Sequence, residues 1–213
     1  MRLARTRYRL SFAQNLRTVW VQTQIIEVKY GLGDFVGSIF VPEGALMIYT
    51  LTTNPAIDMN VNSGVPSYTH VNRTTDAVYT PNGKGLNVSF TLAHYGVEST
   101  ILGFFGGFSG NYIVEEASKI CPVKPVWIDG ITRVNIFVTT PEGELKFPNA
   151  GAPVVRSKQD EMLELLRTAP DLDVLVVSGS LSPEMDSTFY DELFDLCHER
   201  GAELVLDLSL IHI

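Results

Sequence analysis

The sequence predicts an α/β fold in which a sheet with crossover helices carries a small polar β flap. From Met47 onward, short apolar strands alternate with helical segments, a pattern typical of crossover connections. Glycine-rich turns stand at two of the strand-to-helix junctions. Two separated β-like segments, at about 59–80 and 133–148, are too short and too polar for central parallel strands. These two segments predict the flap.

The first predicted elements are two buried strands and the helix between them. The strands cover residues 47–52 and 100–105, where apolar residues run almost without interruption. The helix begins after the turn at 82–85 and continues to about Tyr95. Gly96 is placed to end it, because glycine commonly follows the last helical residue.

The later elements continue the alternation and complete the flap. Helices are predicted from apolar residues at helical spacing, and strands from β-branched runs. A helix follows 106–110, and two flap strands lie on either side of a turn at 141–143. The next helix is capped by Ser157 with Asp160 and is followed by a strand at 174–177. The last two elements are a helix from Ser182 to about Arg200 and a strand at 203–207.

Composition limits the classes of protein that fit this chain. Its 213 residues, 45% hydrophobic and 19% charged, can bury the core of one domain, with or without a small appendage. No apolar run approaches the roughly 20 residues of a membrane helix, so a cytoplasmic protein is the default prediction. Cys121 and Cys197 lie outside any metal-ligand spacing, and no metal site is predicted. The net charge of −8 disfavours a general nucleic-acid binder.

Residues 1–46 differ from the rest of the chain. They carry a net charge of +3, against −11 for the remainder, and they show no sustained helical period or long alternation. A basic segment of this kind could be a nucleic-acid arm or a targeting sequence. We favour a third hypothesis, a weakly structured upstream extension joined to a true start at Met47, which mapping the natural N-terminus by mass spectrometry would test. By a similar hypothesis, residues 208–213 are an artefactual tail.

Candidate binding residues lie at the predicted strand ends. Asp58 follows the first strand, where a carboxylate can accept hydrogen bonds from sugar hydroxyls, although a solvated acid is the alternative. Gly83-Lys84-Gly85-Leu86-Asn87 opens a helix and can present backbone N–H groups to an anion or a polar ligand. The alternative is a tight turn with Lys84 in solvent. The segment lacks the spacing of a Walker A loop.

For two further groups of residues, the sequence evidence for a binding role is weaker when each is taken alone. Gly106 and Gly107 belong to a glycine cluster at the next strand-to-helix junction, and such clusters are more often conformational than functional. Arg133 and Asn135 lie on a predicted flap strand. The planar guanidinium of an arginine there could hold a phosphate through two hydrogen bonds, or could simply face solvent.

The order of five motifs is more specific than any one of them. NPAID, GKGxN, GFxGGxxG, TRxN and SGSLxP follow one another between Met47 and Asp207. In this order the sequence resembles the ribokinase-like (PfkB) carbohydrate kinases, whose fold is a three-layer α/β sheet with a β flap. Within that family it looks most like the 1-phosphofructokinases, with the tagatose-6-phosphate kinases close behind. Asn82 departs from the pattern, since related sequences usually have another glycine there.

The resemblance implies roles for the candidate residues. Asp58 would bind sugar hydroxyls, and Gly83, Lys84 and Asn87 would line the same pocket. Arg133 would hold the phosphate that the substrate already carries. Gly106, Gly107 and Asn135 are further residues expected to line the pocket. The flap would close over the sugar and could join two subunits as a homodimer.

The resemblance also implies ATP and Mg²⁺, with a catalytic aspartate in a late GxGD motif and a magnesium-associated NxxE motif. Neither motif occurs after Met47. We therefore expect the family's later strands and the catalytic aspartate to lie beyond the chain end, so that no residue here is catalytic. The implied reaction is phosphorylation of fructose 1-phosphate to fructose 1,6-bisphosphate.

Three alternatives remain open on the sequence. The substrate could instead be tagatose 6-phosphate, or that of another PfkB sugar kinase. The chain could also be a fragment that binds sugar phosphate without catalysis, or one that does not fold stably. A dinucleotide-binding Rossmann domain is a weaker rival, because no GxGxxG follows the first strand.

Overall fold

The computed structural model describes residues 24–29, 36–41 and 46–208. The chain divides into two units, Met1–Gly44 and Ala45–Ile213. In the first unit, strands β1 (Gln24–Lys29) and β2 (Val36–Val41) pair antiparallel. The predicted extension over residues 1–46 and the predicted tail over residues 208–213 lie mostly outside the described residues.

The second unit alternates strands and helices along its whole length. Its elements are β3 (Ile48–Thr52), β4 (Ala56–Ser63), β5 (Thr74–Asn82), α1 (Lys84–His94), β6 (Ser99–Phe105), α2 (Gly107–Ser118), β7 (Val123–Trp127), β8 (Arg133–Thr140), β9 (Gly143–Phe147), α3 (Arg156–Arg167), β10 (Val174–Gly179), α4 (Thr188–Arg200) and β11 (Glu203–Leu208). Five of the strands form a parallel sheet in the order β11-β10-β3-β6-β7.

The parallel sheet is covered by helices on both faces. On one face Leu51 and Phe104 belong to a buried cluster that includes Met162 of α3 and Phe189 of α4. On the other, Ile101 and Phe105 of β6 pack in a second cluster with residues of α1 and α2. Strands buried on both faces read as continuous apolar runs, which is why β3, β6 and β10 were predictable. These three layers confirm the predicted α/β architecture.

The two polar β segments join in one separate sheet. Its strand order is β5-β4-β8-β9, with β4 antiparallel to β5 and parallel to β8, and β8 antiparallel to β9. The predicted flap is therefore present, and its strands are longer than the pieces seen in the sequence. We call this four-stranded sheet the flap sheet.

Three local predictions were wrong. The sequence analysis missed β7, in which Pro125 obscures the pattern; proline is tolerated there because β7 is the edge strand of the described sheet. Helix α3 begins at Arg156 after Val155, so Ser157 with Asp160 does not cap it. Helix α4 begins at Thr188 rather than Ser182: Glu184 has a φ of 64°, outside the right-handed helical region, and the Ser182 hydroxyl donates to the carbonyl oxygen of Thr53 across 2.7 Å.

No helix in the described residues is long and apolar enough to cross a membrane.

Candidate functional site

Asp58 lies in strand β4 of the flap sheet rather than in a loop, with Thr80 and Asn135 as its neighbours on the adjoining strands. Its Oδ1 accepts a hydrogen bond from the side-chain amide of Asn135 across 2.8 Å. Its Oδ2 accepts another from the amide of Asn82. The carboxylate is half-buried, and it is held at both oxygens by neutral donors. This arrangement differs from that of a freely solvated acid.

The start of α1 packs closely on the end of β3. A Cβ added to Gly83 or Gly85 would lie 2.6 or 2.5 Å from the Thr52 side chain, so both positions need glycine. The Thr52 hydroxyl oxygen accepts the N–H of Leu86 across 3.1 Å. The N–H of Gly83 donates to Oδ1 of Asn82 across 2.6 Å. Two of the N–H groups predicted to face a ligand are therefore already bound by side chains.

Lys84 and Asn87 extend from the first turn of α1 and contact different groups. Asn87 donates from Nδ2 to Oδ1 of Asn82 across 3.0 Å, which connects it to the Asp58 cluster. The Lys84 ammonium lies 3.8 Å from Oδ2 of Asp207, at the carboxyl end of β11. Asp207 also accepts the Ser178 hydroxyl across 3.1 Å. Lys84 therefore lies beside groups from the central sheet.

Arg133 is a partly buried arginine at the start of β8. Its Nη2 donates to the carbonyl oxygen of Asn54 across 2.9 Å, and its Nη1 to that of Asn149 across 3.1 Å. Its Nε is buried and has no hydrogen-bond partner. Burial lowers the pKa of Arg133, while the charge of Asp58 acts in the opposite direction. The guanidinium is thus oriented by the fold, with one buried donor unused.

The chain segment 149–151 crosses beside Arg133 and Asn135. The backbone N–H of Asn149 donates to Oδ1 of Asn135 across 3.1 Å. The side-chain amide of Asn54 donates to the carbonyl oxygen of Ala150 across 3.0 Å. Because Asn135 also binds Asp58, this segment, Arg133 and the sugar-binding candidate belong to one connected polar cluster.

Gly106 and Gly107 have a conformational explanation. The N–H of Gly106 donates to the Thr132 hydroxyl across 2.9 Å, and an added Cβ would lie 2.8 Å from the carbonyl oxygens of Ile128 and Gly130. Gly107 has a φ of 63°, which favours glycine. Close backbone approach to the loop before β8 accounts for both glycines.

Comparison with known proteins identifies the family. Residues 46–212 match the family model described as pfkB family carbohydrate kinase. The chain belongs to the pfkB family of carbohydrate kinases. The match begins at the boundary of the second structural unit and includes most of residues 208–213.

Curated pfkB relatives and solved structures agree with this membership. The chain is 43% identical to the D-tagatose-1-phosphate kinase of Klebsiella oxytoca over 76% of this chain and 54% of that protein. It is 31% identical to the 1-phosphofructokinase of Bacillus subtilis over the same shares. The structure of the tetrameric inhibited form of phosphofructokinase-2 from Escherichia coli gives a TM-score of 0.71 at 28% identity, over 77% of this chain and 55% of that one. The chain spans about half the length of the pfkB relatives it matches.

The structure brings some of the predicted pfkB site residues together and adds others. Asp58, Asn87 and Asn135 lie in one hydrogen-bonded cluster, to which Arg133 is joined through Asn149. The sequence analysis did not assign binding roles to Asn82, whose side-chain amide joins the cluster, or to Asn54 and Asn149, whose backbone groups bind Arg133 and Asn135. Asn82 gave a signal, since it replaces a glycine usual in the family. Asn54 opens the NPAID motif, but its contacts, like those of Asn149, join segments far apart in sequence, so neither residue was assigned a role.

The described residues contain no group of three His, Cys, Asp or Glu side chains that could hold a metal ion. A GxGD sequence does occur at Gly31–Asp34, ahead of the residues that the pfkB model matches. It lies outside the described residues, and the resemblance implies this motif late in the chain, so we assign it no role.

Proposed function

We propose that this chain carries the sugar-phosphate-binding part of a kinase that phosphorylates a ketohexose 1-phosphate at its free primary hydroxyl. Fructose 1-phosphate, giving fructose 1,6-bisphosphate, is the substrate that the motif pattern favours. The names of the relatives also support tagatose 1-phosphate, and a tagatose-6-phosphate kinase of Staphylococcus epidermidis at 34% identity keeps tagatose 6-phosphate as an alternative. The observation that carries the proposal is the half-buried Asp58 carboxylate held beside a partly buried arginine.

The geometry of Asp58 suits a sugar. Each oxygen of a carboxylate can accept about two hydrogen bonds. Each oxygen of Asp58 receives one from an asparagine amide, which leaves about one acceptor position on each. Sugar hydroxyls are donors, and hydrogen bonds to an ionised acceptor are stronger than neutral ones. Asp58 could therefore bind one or two hydroxyls in a direction fixed by the two amides.

Arg133 supports a phosphorylated substrate rather than a neutral sugar. A buried donor without a partner is unfavourable, and an anion beside the Arg133 Nε would relieve that cost. The guanidinium is already immobilised by the carbonyl oxygens of Asn54 and Asn149, so little further ordering is needed to bind a phosphate. The two remaining Nη hydrogens add to the donors available.

ATP and Mg²⁺ belong to the proposed reaction of the complete enzyme. ATP would supply the transferred phosphoryl group and Mg²⁺ would neutralise its charge. The described residues provide no acidic cluster for the metal, and we assign no residue of this chain to either group. The second candidate function, sugar-phosphate binding without turnover, is favoured by that same observation.

The proposal includes a homodimer through the flap sheet and a cytoplasmic location. Strands β5 and β9 are the edges of the flap sheet, and each exposes large apolar side chains that a second copy could cover: Val78, Tyr79, Leu145 and Phe147. Sedimentation velocity would detect such a dimer.

Calorimetry on the 213-residue chain tests the proposed function. Fructose 1-phosphate, tagatose 1-phosphate, tagatose 6-phosphate and unphosphorylated fructose would each be titrated, followed by an ATPase-coupled assay. We expect a ketohexose 1-phosphate to bind at least tenfold more tightly than fructose. Equal affinity for fructose would refute the role of the phosphate. Turnover would refute the binding-only alternative, and binding without turnover would support it.

A further inference from the structure

The side-chain amide of Asn82 connects Asp58 to the start of helix α1. Its Nδ2 donates to Oδ2 of Asp58. Its Oδ1 accepts from the N–H of Gly83 across 2.6 Å and from Nδ2 of Asn87 across 3.0 Å. An amide oxygen that accepts two donors has both lone pairs in use, and this fixes which end of the amide faces the carboxylate. The half-buried Asn82 is therefore held in one orientation, with its donor directed at Asp58.

Asp58 is constrained from two strands at once. Asn82 ends β5 and binds one carboxylate oxygen, while Asn135 on β8 binds the other. Asn135 is itself fixed by the backbone N–H of Asn149. The plane of the Asp58 carboxylate is thus set by two amides that cannot easily turn, and its remaining lone pairs point in defined directions.

From this geometry we propose that Asn82 is a positioning residue that determines which ketohexose phosphate the site prefers, and this rests on the proposed function. D-Fructose and D-tagatose differ in the orientation of one ring hydroxyl, at C4. A site that fixes an acceptor for a hydroxyl discriminates strongly, because the wrong epimer leaves a polar group unpaired. A carboxylate free to rotate could accept a hydrogen bond from the C4 hydroxyl of either epimer. Asn82 prevents that rotation.

The first test replaces Asn82 by alanine, which removes the amide and keeps the backbone. Calorimetry would give the affinities of the 213-residue chain for fructose 1-phosphate and tagatose 1-phosphate. We expect the unsubstituted chain to prefer one epimer, and the Asn82→Ala variant to reduce that preference at least about fivefold. Asn62→Ala is the matched control, since Asn62 is an exposed asparagine on β4 whose amide binds Asp76, and it should leave the preference unchanged.

The second test is Asn82→Asp, which keeps the shape and replaces the donor by a second carboxylate oxygen. Keeping two carboxylates in contact both ionised is unfavourable, so at lower pH a proton shared between Asp58 and the new carboxylate should restore their hydrogen bond. The other charged or titratable side chains on β5, α1 and β8 are Lys84 at the start of α1 and Arg133 at the start of β8, with Asp76, Tyr79 and His94 farther along β5 and α1. We expect the affinity of Asn82→Asp for the preferred epimer to fall on the order of tenfold at pH 7.5 and to recover at pH 5.

Asn62→Asp is the control for the second test, because it also creates a carboxylate pair, with Asp76, away from the site. Its affinity should not depend on pH in this way. Thermal unfolding would verify that each variant is folded. If the epimers bind the unsubstituted chain equally, or if both Asn82 variants keep its preference at every pH, the inference is overturned while the proposed function stands. If neither sugar phosphate binds the unsubstituted chain, both are overturned.

Discussion

Nη2 of Arg133 donates a hydrogen bond to the carbonyl oxygen of Asn54 across 2.9 Å, which ties the start of flap strand β8 to the loop after β3. Its Nη1 reaches the carbonyl oxygen of Asn149. The same guanidinium that we propose for phosphate binding is therefore also a structural link between two parts of the second unit. This dual role makes its substitution informative in two measurements.

Replacing Arg133 by lysine should affect both stability and binding. Lysine keeps the charge, but one ammonium cannot reproduce the planar fork that holds two carbonyl oxygens. We expect the free energy of unfolding, measured with urea, to fall by about 1–3 kcal/mol. The affinity for fructose 1-phosphate should fall as well. Arg73→Lys, at an exposed position before β5, is the control and should change neither quantity. Unchanged stability in Arg133→Lys would contradict the link described here.

Substitution of Gly151 tests the conformation of the segment 149–151, which crosses beside Arg133. It has a φ of 100°, and an added Cβ would lie 2.4 Å from Oδ1 of Asn54, whose amide is held by the carbonyl oxygens of Ala150 and Leu181. We expect Gly151→Ala to destabilise the fold by about 1–3 kcal/mol through backbone strain alone. Gly64→Ala is the control, because nothing lies within 4 Å of its added Cβ. Thermal unfolding of both variants would show the difference, and equal midpoints would count against this conformation.

The sequence allowed the layers of the fold to be predicted more fully than the contacts within the site. Strands such as β6 are buried on both faces and read as apolar runs, so the parallel sheet could be inferred directly. The edge strand β7 could not be inferred, since Pro125 interrupts its apolar pattern. Asp58, Asn87 and Asn135 were found because their motifs are local. Asn54, although it stands in the NPAID motif, and Asn149 were assigned no role, because each acts through a partner more than ten residues away, which only the folded chain brings near.

Two phenylalanines of α4 test the core assignment. Phe189 is fully buried between α4 and the sheet, whereas Phe194 is 59% exposed. Phe189→Ala should cost about 3–5 kcal/mol of unfolding free energy, because it removes a large buried ring and leaves a cavity. Phe194→Ala should cost far less. Urea denaturation of the two variants measures both values, and similar losses would mean that the helix packs through a different face.

Stability should decrease in alkaline solution partly because of Cys197. Burial raises the pKa of its thiol from 9.0 to about 11. Between pH 9 and 11 the unfolded chain therefore loses this proton while the folded chain keeps it, so the free energy of unfolding falls as pH rises. Burial also raises the pKa of Tyr190, to about 12, which acts in the same direction above pH 10. In reducing buffer, urea titrations of Cys197→Ala should show a shallower fall from pH 9 to 11. An identical slope would contradict this assignment.

Asp58 is the residue on which the proposed site depends most. Calorimetric titration of the 213-residue chain with fructose 1-phosphate and tagatose 1-phosphate, repeated with Asp58→Asn, tests that dependence directly. Asp76→Asn is the control, since it makes the same change at an exposed acid of β5. We predict that the unsubstituted chain and Asp76→Asn bind at least one of the two sugars, and that Asp58→Asn weakens that binding by about ten- to a hundredfold, as expected for lost hydrogen bonds to a charged acceptor. Undiminished binding by Asp58→Asn would contradict the account.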